Sequence, residues 1–340
     1  MAEGGALKGH MARALRQVRR YVAAVDAVVE VADARAPFTS RSPQLASMVE
    51  GRLHLLVLSR GDLADPATTR AWVRWFEAQG IEPFVGEGPG DARLISRLRR
   101  RLKRAPAAFK PRVLVAGLPN VGKSTLLNGL AGRRRARVGA QPGVTRGKQW
   151  VDLGSFWLMD TPGVLPPRLG GTRRLVLGAL GLVGPELAAP EEIVGFLLHR
   201  LGGEPRFRAA LARWGVDLPP PGGRVAGDHM AERRPAAADP GEGPAGPPAA
   251  PGGAGAGTPP AEGEGATPRA SMQDPAAVEA VLEKVARHRG LLGPGGQPDG
   301  HRAAAVLVAA FRAGELGRLS LEHPAMIVPP PPDRGLAGHR

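Results

Sequence analysis

Val113-Leu114-Val115-Ala116-Gly117-Leu118-Pro119-Asn120-Val121-Gly122-Lys123-Ser124-Thr125-Leu126-Leu127-Asn128 decides the fold. An apolar run that suits a buried strand leads into G-x-x-x-x-G-K-S, and Thr125–Asn128 can open a helix behind it. Strand, loop and helix together are the context this motif requires. The glycines let backbone N–H groups wrap phosphate oxygens, and the helix N-terminus favours their negative charge. In such a loop Lys123 reaches the β and γ phosphates of a nucleotide, and Ser124 holds Mg²⁺. A loop of this kind normally opens its domain, yet here 112 residues precede the strand.

Two further phosphate-side elements follow. Asp160-Thr161-Pro162-Gly163 closes the apolar run Phe156–Met159. A carboxylate there suits a Mg²⁺ shell, and the Gly163 N–H can meet a γ-phosphate. Between them lies Pro142-Gly143-Val144-Thr145, in which Thr145 completes the Mg²⁺ shell when a triphosphate is bound. Alone, D-T-P-G is also compatible with a simple turn; its place behind the phosphate loop favours a switch pair.

No base-reading element follows Gly163. One precedes the phosphate loop instead. Leu53–Leu58 reads as a buried strand, and Ser59-Arg60-Gly61-Asp62 behind it resembles the N-K-x-D signature of GTPases with two positions changed. Asp62 would accept hydrogen bonds from guanine N1–H and the 2-amino group, donors that adenine lacks. Ser59 stands where Asn is usual, which removes an amide that would contact the base and brace the phosphate loop. The aliphatic stem of Arg60 can still cover the base. Gly86–Asp91 is expected to supply the last base-contacting loop.

The order of base motif, phosphate loop and switches is circularly permuted, and with it the chain resembles the circularly permuted ribosome-biogenesis GTPase A proteins of bacteria. Gly9-His10-Met11-Ala12, Asp33-Ala34-Arg35-Ala36-Pro37 and Gly317-Arg318-Leu319-Ser320-Leu321-Glu322 are further matches. The resemblance implies an α/β fold: a circularly permuted P-loop GTPase domain with a mostly parallel sheet and helices on both faces, followed by a small all-helical domain. It implies GTP/GDP, Mg²⁺ and K⁺ as cofactors. Nucleotide contacts fall to Ser59, Arg60, Asp62, Asn120, Val121, Gly122, Lys123, Ser124, Thr125 and Gly163, and Mg²⁺ falls to Ser124, Thr145 and Asp160. Asn120 matches a K⁺-holding position. Lys123 and Thr145 would act in hydrolysis, joined by His10 once the ribosome is bound, although a histidine near a terminus equally suits a structural or phosphate-contacting role. Val164 stands where many GTPases carry the Gln that orients the attacking water, so slow unaided turnover is expected. The implied partner is the large ribosomal subunit precursor and its rRNA, bound in the GTP form and released on hydrolysis. The alternatives are a permuted GTPase acting on the small subunit or another structured RNA, and a non-enzymatic RNA-binding scaffold.

Composition supports a polyanionic partner, with a formal net charge of +15 over 340 residues. Arg13/Arg16/Arg19/Arg20, the run Arg97–Arg104 and Arg133/Arg134/Arg135/Arg137 are basic clusters. They suit phosphate-backbone contacts, and with neither an aromatic-rich single-strand platform nor a zinc finger, structured RNA recognised by shape fits them better than base readout. The absence of cysteine excludes disulfides and thiol catalysis. No uncharged run approaches the roughly 18 residues that span a bilayer, and arginines interrupt any signal-peptide core near the N-terminus. A cytoplasmic monomer is the expectation.

Along the chain, strands alternate with helices as far as about Gly163, after which helices dominate. Asp65-Pro66 and Asp274-Pro275 read as helix starts, with Gly80 and Gly290 as stops. Residues 219–270 hold 24 Gly or Pro among 52, too little apolar surface to offset chain entropy, and read as a disordered insert. The expected division is GTPase domain 1–170, helical RNA-binding domain 171–218 and 271–325 around that insert, and a loose tail 326–340.

Overall fold

The structure, a computed structural model, describes residues 18–42, 45, 48–49, 51–132, 150–160, 169–219 and 274–327. Six strands form one sheet: β1 (Ala27–Asp33), β2 (Leu53–Ser59), β3 (Glu82–Val85), β4 (Arg112–Gly117), β5 (Trp150–Asp152) and β6 (Trp157–Asp160). Their order is β3-β2-β1-β4-β6-β5, parallel throughout except for β5, which pairs antiparallel with β6 at the edge. The chain steps outward from β1 through β2 to β3, then returns to lay β4 on the other side of β1. Strand order therefore reverses between β1 and β4, the place where open α/β sheets bind ligands beyond their carboxyl ends.

The alternating side chains of the inner strands explain the layering. Val29, Val31, Leu55, Val57, Val113 and Val115 face one way, onto α2 (Ala92–Leu102) through Leu94, Leu98 and Leu102 and onto α3 (Lys123–Ala131) through Leu126, Leu127 and Leu130. On the opposite face, Val28, Leu114 and Ala116 meet Val18, Val22 and Val25, and Ala32, Leu56 and Leu58 meet Trp72 and Phe76 of α1 (Pro66–Glu77). Both faces are covered, so β1 is buried along its whole length, Glu30 and Asp33 included. Glu30 is tolerated because Arg41 and His54 contact its carboxylate at 2.7 and 3.1 Å and the Ser42 N–H donates to it.

The helix starts follow the sequence closely. The Asp65, Asp91, Asp274 and Asp299 side chains each accept a backbone N–H in the first turn of the helix behind them, which satisfies a donor with no intrahelical partner. Helix α1 ends at Glu77, because Ala78–Gly80 form the closing turn; it buries Thr69, Trp72 and Phe76 and leaves Val73 half-buried.

The later helices are α4 (Gly171–Ala179), α5 (Pro190–Leu201), α6 (Pro205–Ala212), α7 (Pro275–Arg289) and α8 (Gly300–Ala313). Their buried side chains, such as Leu177, Leu198, Phe207, Leu282 and Phe311, continue one apolar cluster that begins at the sheet. Residues 220–270 of the expected insert lie outside the described residues. No helix among those described is long and apolar enough to cross a membrane.

Candidate nucleotide-binding site

The segment after β4 has a backbone that only special residues adopt. Gly117 and Gly122 lie at φ +152° and +109°. A Cβ on Gly117 would stand 2.5 Å from the Val31 carbonyl oxygen, so glycine is required there for packing as well as for conformation. Asn120, at φ +58°, is one of two non-glycine residues with positive φ among those described. Gly122 caps α3 without a side-chain acceptor, so the helix's first N–H groups are left for a ligand. Lys123 is buried and its Nζ donates to the Leu118 carbonyl at 2.7 Å, folding its cation back over the loop. Ser124 and Thr125 are exposed on the first turn of α3.

The base-reading candidate follows β2, beyond β1 from the phosphate loop. Ser59 Oγ lies 2.7 Å from the Val121 carbonyl oxygen and 3.0 Å from that of Ala32. This corrects the expectation that replacing Asn would lose the brace on the phosphate loop, since the hydroxyl supplies it. Asp62 Oδ1 is buried and has no hydrogen-bond partner among the described residues. A carboxylate oxygen left in that state costs free energy unless a ligand donor meets it, and guanine N1–H or its 2-amino group is a donor of the required kind. The Gly86–Asp91 loop lies where it was expected. Gly61 N–H donates to the Gly86 carbonyl, Gly86 N–H to that of Leu58, and a Cβ on Gly88 would stand 3.2 Å from Asp62 Oδ2.

Arg60 ties three segments together. Its guanidinium bonds Asp33 Oδ2 at 2.8 Å, the Asn120 carbonyl at 2.9 Å and the Leu180 carbonyl at 3.3 Å. Asp33 also takes a two-pronged contact from Arg35, at 3.0 and 2.9 Å. Burial alone would push this carboxyl's pKa up, but the charges and hydrogen bonds of Arg35, with the charge of Arg60, outweigh it and hold Asp33 ionised below its ordinary range. Asp33 and Arg35 belong to a motif that carried no assigned role in the sequence, and a buried Asp-x-Arg at a strand end was the signal available.

The same junction reaches the helical region. The carbonyls at the end of α4 are met from three directions. Arg312 of α8 donates to Gly178 and Ala179, Arg60 to Leu180, and Asn120 Nδ2 to Gly181 at 3.4 Å. The Gly178 carbonyl also accepts from the Gly181 N–H, and these carbonyls together carry the negative end of the helix, so cationic donors suit them. The Gly317–Glu322 segment is stitched to the base loop. Arg318 donates to the Gly61 and Ala64 carbonyls, Leu319 N–H to that of Leu63, and Ser320 Oγ accepts from Asp65 N–H. Glu322 is buried, accepts the Phe38 and Thr39 N–H groups, and its carbonyl accepts from Trp72 Nε1. Burial raises the Glu322 pKa despite those bonds.

Ser59, Arg60, Asp62, Asn120, Val121, Gly122, Lys123, Ser124 and Thr125 thus stand together at the carboxyl ends of β2 and β4. Asp160 ends β6 in register with Val115 of β4, on the same side of the sheet. His10, Thr145, Gly163 and Val164 lie outside the described residues, as does the side chain of Asp160. Among the described residues no group of three His, Asp or Glu could hold a metal. Mg²⁺ is commonly carried by one or two protein oxygens, water and the nucleotide's own phosphates, and the exposed Ser124 hydroxyl is a protein oxygen of that kind.

Residues 112–180 match a family model described as a 50S ribosome-binding GTPase. The ribosome biogenesis GTPase A of Bacillus pumilus is 38% identical over 188 residues, covering 51% of this chain and 67% of that protein. The chain belongs to the ribosome biogenesis GTPase A family. A family member from Thermotoga maritima aligns over nearly everything, at 29% identity across 94% of this chain and 95% of its own length. The GNP-bound crystal structure of YlqF from T. maritima shares the fold, with a TM-score of 0.54 and 24% identity over 92% of this chain and 98% of that one. The chain spans about two thirds of the length of the Bacillus family members it matches.

Proposed function

We propose that this chain is a GTPase that assists assembly of the large ribosomal subunit, binding the precursor and its rRNA in the GTP form and leaving on hydrolysis. The observation that carries the reading is the unpartnered, buried Asp62 Oδ1 next to a glycine-shaped phosphate loop. A carboxylate that accepts from guanine selects GTP over ATP. The open first turn of α3 and the Lys123 ammonium receive the phosphates. Ser124, with Asp160 and Thr145, would hold Mg²⁺, which when bound offsets the charge on the phosphate oxygens. Asn120, in the left-handed backbone region within the phosphate loop, would hold K⁺.

Catalysis at such a site is positioning and charge stabilisation. Lys123 opposes negative charge on the β and γ phosphates. Without a Gln behind the D-T-P-G, the attacking water is placed by other groups, with His10 the candidate on the ribosome. The helical region follows the switch directly. Its α4 end is capped by Arg60 of the base loop and Asn120 of the phosphate loop, which supports a route by which nucleotide state changes the chain's hold on its partner. The domain division given by the sequence, with a monomeric chain, is part of this proposal. The test is GTP turnover with purified large or small subunits and ATP as control. Stimulation by large subunits alone supports the reading, and equal use of ATP overturns its specificity.

A further inference from the structure

The net positive charge of this molecule is concentrated in the sheet domain, and the described helical region is close to neutral. Residues 171–219 and 274–327 carry twelve Lys and Arg against eleven Asp and Glu. Their cavity, between α4, α5, α7 and α8, is lined by Glu279 and by Glu191 and Glu192, which contact His301 and Arg174, so its lining holds no surplus of positive charge for a phosphate. Residues 92–104, by contrast, carry seven Arg or Lys and no acid.

Not all seven are available to a partner. Arg97 lies over the Phe84 ring, Arg99 donates to the Leu130 carbonyl, Arg101 pairs with Glu82, and Arg93 sits in the field of Asp91. Arg100, Lys103 and Arg104 are exposed and make no ion pair or side-chain hydrogen bond among the described residues. Five residues beyond Arg104, Phe109 is 93% exposed. Nearby, Lys110 Nζ stands 4.5 Å from the centre of the Trp157 ring, itself 36% exposed. This stretch joins the end of α2 to the start of β4, so it lies at the amino ends of the strands. The nucleotide site lies at their carboxyl ends, and both can be occupied at once.

We propose that Arg100, Lys103, Arg104 and Phe109 form an RNA-binding surface, the three cations on backbone phosphates and the Phe109 ring under one unpaired base. The inference rests on the RNA partner proposed above and assigns it a surface on the sheet domain. Cations with no internal partner are the groups that release counterions from a phosphate backbone. A bare aromatic ring five residues along the chain from such cations offers the flat face on which splayed-out RNA bases stack. The sequence alone left Phe109 without meaning, because its exposure is a property of the fold.

The test uses the full chain and a fluorescein-labelled RNA hairpin with one bulged adenosine, beside the same hairpin fully paired, by anisotropy over a KCl series. R100Q/K103Q/R104Q is expected to weaken both probes at least about tenfold and to reduce the salt slope by about two to three, near one for each lost phosphate contact. Phe109→Ala is expected to weaken the bulged probe about fivefold or more and leave the paired one unchanged. Both variants should bind GTP as the parent does, which confirms their folding. Parental RNA affinity in either variant overturns the proposal. So does failure of the parent to bind the hairpins, or a preference of the patch for phosphatidylglycerol vesicles over RNA. Hairpin binding through this patch without stimulation of turnover by subunits would retain the surface and remove the assembly role.

Discussion

The Ser59 hydroxyl lies 2.7 Å from the carbonyl oxygen of Val121, joining the base loop to the phosphate loop across 62 residues of chain. One neutral hydrogen bond of this kind contributes about 1 kcal/mol, and its loss leaves a half-buried carbonyl without that partner. Ser59→Ala is therefore expected to weaken GTP binding by about fivefold to tenfold. Ser59→Asn, whose amide can brace the loop and contact the base, should tighten it. Titration calorimetry with GTP checks both, and a Ser59→Ala variant that binds like the parent would remove the brace from the account.

Asp62 is the residue proposed to choose the base. Its buried Oδ1 has no acceptor role filled by protein. Hydrogen bonds to a charged group contribute about 1.5–3 kcal/mol each, so Asp62→Ala should lower GTP affinity by about a hundredfold or more and bring it close to that for ATP. Competition between the two nucleotides for the variant measures this.

Asp33 holds the junction together. It is fully buried between Arg35, itself 1% exposed, and Arg60. Asp33→Asn would leave a buried cation uncompensated, at a cost of about 3–5 kcal/mol in urea unfolding at pH 7. The pH dependence follows from the direction of the shift. A carboxyl whose folded pKa is depressed contributes stability that is complete above its ordinary 3.8 and is lost as pH falls through the folded value. Glu30 acts in the same sense, because His54 and Arg41 outweigh its burial. Acid unfolding followed by circular dichroism should set in below about pH 4, with a shallower limb in Asp33→Asn.

These relationships separate what a sequence states from what only a fold supplies. The strand–loop–helix at 113–128 and the Asp-Pro helix starts were legible because local patterns carry them: a buried run, glycines where φ is positive, and carboxylates that accept first-turn N–H groups. The base loop was legible as a motif, but its mechanics were not. That Ser59 can replace an amide depends on how close β2 and β4 stand on either side of β1. Helix α4 was missed because nothing caps its start with a side chain and Gly170–Gly171 open it. The role of Gly317–Glu322 is equally non-local, since its partners at Arg35 and Gly61–Asp65 lie over 250 residues away along the chain.

Asn120 makes a cation prediction. Its Nδ2 donates to the Gly181 carbonyl, so the amide oxygen is the atom that would meet the proposed K⁺. Replacing K⁺ by Na⁺ should slow GTP turnover in the parent. Asn120→Ala should turn over at the same reduced rate in either salt. Rates of the variant that still rise with K⁺ would place the cation elsewhere.

The most direct measurement of the central claim is GTP hydrolysis in K⁺ buffer by the full chain, alone and with purified large or small ribosomal subunits. The account predicts slow unaided turnover and a rise with large subunits only, of the order of 10³-fold or more, the scale an externally supplied group provides in such enzymes. Tight GTP binding with turnover unchanged by either subunit would contradict it.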